Sequence, residues 1–187
     1  MENPKALQSE ALQIIDDLGL IVALSQYGEA RIVGSVALNL VVKRDIDIHL
    51  VLERVDLMDA VYKITRLLLD EEHIQEIRIS DYRERDSIKI GIDAFPGFSG
   101  QWSVDIWITT DAATTGFAQT DRLIAELLPE HRTLILDIKH ELHQQNILRD
   151  GMSSLIYKAV VDDNVGSAAE FHRYIEKQTS IPRGVRT

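Results

Sequence analysis

The chain has 187 residues, 45% of them apolar, no cysteine, and a formal charge of −10 with a pI near 5.0. That size and apolar share suffice for one core with a helical extension, and the absence of cysteine excludes disulfides, zinc–thiolate sites and thiol nucleophiles. An acidic chain with no basic block argues against duplex nucleic acid, which is gripped through its phosphates, and points to small-molecule or protein partners.

The N-terminal segment MENPKALQSE is polar and lacks the basic-then-apolar pattern of a secretion signal, so the expected location is the cytoplasm. The longest nearly apolar run, Ile32–Val42, is too short to span a bilayer as a helix. Asn3-Pro4 reads as an N-cap followed by proline at the first helical position. Leu7, Leu12, Ile15 and Leu18, with Ala11 and Ile14, then recur at helical spacing. The helix ends at Gly19, or breaks there and continues through Leu20–Gln26, and Tyr27-Gly28 is a turn.

The stretch from Ala30 to Glu53 has three parts. Arg31–Val33 is a short β run, Gly34-Ser35 a turn, and Val36–Val42 one or two helical turns. After Lys43-Arg44 the chain alternates strictly from Asp45 to Leu52. Side chains of a strand alternate between faces. Ile46, Ile48, Leu50 and Leu52 therefore share a buried face, and Asp45, Asp47, His49 and Val51 share the other. Two carboxylates at i and i+2 point the same way, about 6.5–7 Å apart at the backbone. They can converge on one hard cation such as Mg²⁺, whose octahedron is completed by phosphate oxygens and water. The Gly34-Ser35 turn allows close backbone approach and offers donors to an anion. His49 lies on the carboxylate face, further along it, and reads as a polar residue of a wet face before it reads as a base.

Further along, Asp56–Asp70 is helical, with Asp56 as N-cap and Leu57, Val61, Ile64 and Leu68 on one face. Asp70-Glu71-Glu72 is a solvated acidic end. His73–Ser80 reads as a strand and Arg83–Asp86 as a turn. Ser87–Phe95 and Gln101–Thr109 read as strands joined by the turn Pro96–Gly100, an antiparallel hairpin. Asp93 and Asp105 compete as the carboxylate that would join Asp45 and Asp47: Asp105, with β-branched residues on either side, is preferred, and a hairpin register that set the two side by side would let both line the site.

The ordered set of Gly34-Ser35, a short helix, Asp45-Ile46-Asp47 on a strand and Val104-Asp105-Ile106 on a later strand resembles the DNA polymerase beta-like nucleotidyltransferase superfamily. The resemblance covers about residues 30–109. It implies an enzyme moving a nucleoside monophosphate from an NTP, such as ATP, to an acceptor hydroxyl, with loss of pyrophosphate. It implies Asp45, Asp47 and Asp105 as catalytic metal ligands for two Mg²⁺ ions, with Mn²⁺ as an alternative. Gly34 and Ser35 would hold phosphates, and Lys43 and Arg44 would neutralise triphosphate charge. The acceptor would be a small molecule or a protein. The other reading is a catalytically degenerate fold that binds a nucleotide or a partner, as in a toxin–antitoxin pair.

Beyond residue 110 the composition changes. Asp111–Gln119 reads as a loop or lid. Thr120-Asp121 opens a helix with Leu123, Ile124, Leu127 and Leu128, and Pro129 opens another with Leu134, Ile135, Ile138 and Leu142. His140-Glu141-Leu142-His143 misses the zinc-protease spacing by one residue. Ser153–Val161 and Ser167–Gln178 are further helices, and Ile181–Thr187 is a basic tail. The expected architecture is an α+β (α/β two-layer) fold, with a small mixed-sheet core at residues 1–110 and a helical region at 111–187 packed on it.

Overall fold

The structure, a computed structural model, describes residues 2–180, with side chains to residue 177; the tail at 181–187 lies outside the described residues. The first helix, α1 (Pro4–Asp17), starts where expected, and the Asn3 side chain accepts a hydrogen bond from the Lys5 N–H. Leu7, Ala11, Ile14 and Ile15 are buried, whereas Leu12 is 44% exposed, so the apolar stripe is narrower than the spacing suggested. A left-handed Gly19 breaks the chain before α2 (Leu20–Leu24). β1 (Gly28–Val33) begins three residues earlier than expected, and α3 (Gly34–Leu38) starts directly at the glycine. β2 occupies Asp45–Leu52, as the alternation required.

Asp56 caps α4 (Leu57–Leu69), accepting from the Met58 and Asp59 N–H groups. β3 is Ile77–Tyr82, displaced from the expected 73–80, and a 3₁₀ turn at Arg83–Arg85 leads to β4 (Ser87–Pro96). β5 is Gln101–Thr109. The expected loop at 111–119 is shorter. A 3₁₀ turn at Ala112–Thr114 gives way to α5 (Phe117–Glu126), because Phe117 is buried and its N–H is accepted by Thr115 Oγ1.

The five strands form one mixed sheet in the order β1-β2-β5-β4-β3. β2 and β5 are parallel; the other neighbours are antiparallel, including the β4–β5 hairpin. The even-numbered residues of β2 and β5, with Ile88, Ile90 and Ile92 of β4, are aliphatic or Trp102 and face one way, and beyond the bulge in β4 Phe95 joins them. With Leu7, Ala11, Ile14 and Ile15 of α1 and Ala60, Val61, Ile64 and Leu68 of α4 they make one continuous core. Fully burying such a side chain contributes about 1.5–3 kcal/mol, which fixes strand register. A one-residue slip would send every aliphatic group to the opposite face. The odd-numbered face is thereby left for polar chemistry.

Two compact units divide the chain, Met1–Ala125 and Glu126–Thr187. The second contains α6 (Pro129–Gln144), α7 (Met152–Tyr157), a π-helical turn (Lys158–Asp162) and α8 (Ala168–Ser180). Ile135, Ile138, Leu142, Ile156, Val160 and Phe171 are among its buried residues. In it His172 Nε2 lies 2.8 Å from Glu141. Among the described residues no helix is long and apolar enough to cross a membrane.

Candidate active site

The site is made by register. In the parallel β2–β5 pair, Asp47 is the partner of Asp105 and Asp45 is the partner of Ser103. In the β4–β5 pair, Asp105 is the partner of Gly91. Adjacent strands lie about 4.7–4.9 Å apart. Asp45, Asp47 and Asp105 thus sit together on the face opposite the aliphatic core.

Each carboxylate has its own surroundings. Asp45 Oδ1 accepts from the Ser103 hydroxyl at 2.8 Å, and Lys43 Nζ lies 3.4 Å from Oδ2. Asp105 Oδ2 is 3.0 Å from Lys89 Nζ. A Cβ added to Gly91 would stand 3.3 Å from Asp105 Oδ1, so the bare backbone of β4 makes room for that carboxylate. Asp47 lies between the other two acids. Burial, then the negative charge of Asp45 and of Asp105, pushes its carboxyl up to about 7.

Gly34 closes the site on the β1 side. It adopts φ +64°, a left-handed conformation suited to glycine, and an added Cβ would stand 3.3 Å from Asp47 Oδ2. The Gly34 N–H is directed to Thr120 Oγ1 at 3.4 Å, linking the turn to α5. Ser35 follows in the first turn of α3, half-buried.

Arg44 is placed elsewhere. Its Nε donates to Ser99 Oγ at 2.8 Å, and its guanidinium also meets Glu2. Asp93 lies at the β4 bulge, where the register shifts between Ile92 and Phe95, and Arg78 meets it at 2.6 Å. The residue across from Asp105 is Gly91, so Asp105 is the later-strand carboxylate aligned with Asp47. His49 Nδ1 accepts from the Gly116 N–H at 3.0 Å, and burial pushes the imidazole down to about 4. A neutral ring with that lone pair engaged anchors the segment before α5.

Sequence reasoning missed Lys89, Gly91, Ser103 and Thr120. The alternation Ile88, Ile90, Ile92 on one face of β4 could have flagged Lys89 and Gly91 as partners on the other.

The donor set is all oxygen, acidic and partly desolvated, which fits a hard divalent cation such as Mg²⁺. Among the described residues no three carboxylates or imidazoles already gather around a common point. Lys43 and Lys89 each lie against an outer carboxylate instead.

The fold of this sheet and its helices is shared with solved RNA terminal transferases and polymerases. No family model and no curated protein matches the chain. Solved structures do. A cytoplasmic RNA terminal U-transferase aligns with TM-score 0.59 at 18% identity, over 82% of this chain and 44% of its own. A MgATP-bound mutant of the Cid1 poly(U) polymerase gives 0.60 at 21%, over 77% and 45%. The polymerase core of TRAMP, an RNA surveillance complex, gives 0.55 at 16%, over 94% and 58%. The chain therefore spans about half the length of these proteins.

Proposed function

We propose that the chain binds an NTP with Mg²⁺ and transfers its nucleoside monophosphate to an acceptor hydroxyl, releasing pyrophosphate. The observation that carries this reading is the parallel register setting Asp47 beside Asp105, with Asp45 on the same face. Asp45 and Asp47 would hold the cation on the triphosphate, and Asp105 would complete the set on the acceptor side. Bound there, divalent cations stabilise the charge on the attacking and leaving oxygens of an in-line displacement. Gly34 and Ser35 form the turn against which phosphates would rest, and Lys43 supplies nearby positive charge. Ser103 orients Asp45 through its 2.8 Å hydrogen bond. His49 takes no proton in this scheme.

The MgATP-bound neighbour supports the choice of cation and nucleotide class. The net charge of −10 supports a small-molecule or protein acceptor over a polynucleotide. The second reading is nucleotide or partner binding without transfer.

The test is transfer of label from each α-labelled NTP, with Mg²⁺, into a cell extract separated into small molecules, protein and RNA. The proposal expects label in the small-molecule or protein fraction, pyrophosphate release, and loss of both with Asp105→Asn. Label in RNA would change the acceptor class. No label in any fraction would favour the second reading.

A further inference from the structure

We propose that the Lys89 ammonium is a built-in substitute cation for the carboxylate cluster, which a divalent ion must displace from Asp105 before that carboxylate can join a metal. The inference rests on the reading of Asp45, Asp47 and Asp105 as the metal-binding set.

Lys89 lies on β4 across from Trp107, two residues before Gly91, which is itself across from Asp105. Its Nζ is 3.0 Å from Asp105 Oδ2, and the two side chains are only 21% and 24% exposed. Such a charge-assisted contact, partly shielded from water, is stronger than a surface pair. The ammonium also sits 5.5 Å from the centre of the Trp107 ring, a cation–π contact that helps hold it in place. The contrast is Lys43, 45% exposed and at the longer distance of 3.4 Å from Asp45.

An arriving cation and Lys89 therefore compete for the same oxygen of Asp105. The loss of one positive charge at this distance frees that oxygen for metal. The displaced ammonium stays tethered to β4 beside the site, where the oxygens of a bound triphosphate are its natural partners. Metal alone should thus bind weakly, and nucleotide should help it by giving Lys89 somewhere else to go.

The test uses the full chain and Mn²⁺ alone, followed by calorimetry and by the electron paramagnetic resonance signal of free ion. Lys89→Met and Lys89→Gln are expected to bind Mn²⁺ roughly 10- to 100-fold more tightly than wild type. Lys89→Arg, which keeps the charge, should remain weak. The gain should vanish in Lys89→Met/Asp105→Asn, since non-additivity is the mark of a direct coupling. Circular dichroism checks that each variant is folded. Equal Mn²⁺ affinity in wild type and both neutral variants would overturn the role of Lys89 and leave the metal site standing. Absence of Mn²⁺ binding in every protein, the neutral variants included, would overturn both.

Discussion

Replacing Asp47 by asparagine should stabilise the metal-free protein while removing its proposed ability to bind metal. The half-buried Asp47 carboxyl lies between Asp45 and Asp105 and is raised from 3.8 to about 7. The folded state therefore holds a proton over a range where the unfolded chain has lost it. The sign follows: with more protons bound in the folded state, stability falls as pH rises from about 4 to about 7, then levels. The difference between 3.8 and about 7, at 1.36 kcal/mol per pH unit, sets a ceiling of about 4 kcal/mol, and relaxation of the site should bring the measured value to about 1–4 kcal/mol. Asparagine has the same shape and no charge, so its curve lacks this slope. The chain's two tryptophans, Trp102 and Trp107, both lie on β5, so their fluorescence reports on this sheet. Urea unfolding in EDTA at pH 4, 5, 6, 7 and 8 gives the comparison. The advantage of Asp47→Asn should be near zero at pH 4 and largest at pH 7 and above. Parallel curves for the two proteins across that range would refute the reasoning about Asp47.

Two other predictions concern the surroundings of the cluster. The His49 imidazole, pushed down to about 4 by burial and engaged by Gly116, should show no NMR titration between pH 8 and pH 5, whereas titration near 6.5 would contradict its neutral anchoring role. Gly91→Ala places a methyl 3.3 Å from Asp105 Oδ1. It should cost about tenfold or more in Mn²⁺ affinity by moving a ligand, with less than about 1 kcal/mol change in urea stability, because overpacking here is borne by one side chain.

The parts of this fold that were legible in the sequence are the local ones. Asp45–Leu52 declares itself by alternation, and Asn3 and Asp56 declare helix starts through their capping chemistry. The hairpin at Pro96–Gly100 follows from its turn residues. The candidate site was legible as a set of aspartates, since Asp45 and Asp47 share a face by periodicity alone. Their alignment with Asp105 was not, because parallel pairing joins strands more than fifty residues apart and no local rule sets that register. The same gap hid Lys89 and Gly91, whose importance lies in what stands across from them on β5. The segment 111–119 misled because its small polar residues resemble a loop, although buried Phe117 already begins α5. β3 begins at Ile77 because residues 73–76, whose imperfect alternation suggested strand, remain outside the sheet.

The most direct measurement is thermal stability with ATP, GTP, CTP and UTP, each in Mg²⁺ and in EDTA, for wild type and Asp45→Asn/Asp47→Asn. A nucleotide at about 100 times its dissociation constant stabilises by roughly 2.7 kcal/mol. The account predicts a shift of that order with at least one nucleotide, in Mg²⁺ only, and none in the double variant. No shift with any nucleotide, or one that survives in EDTA or in the double variant, would contradict a metal-dependent nucleotide site at these carboxylates.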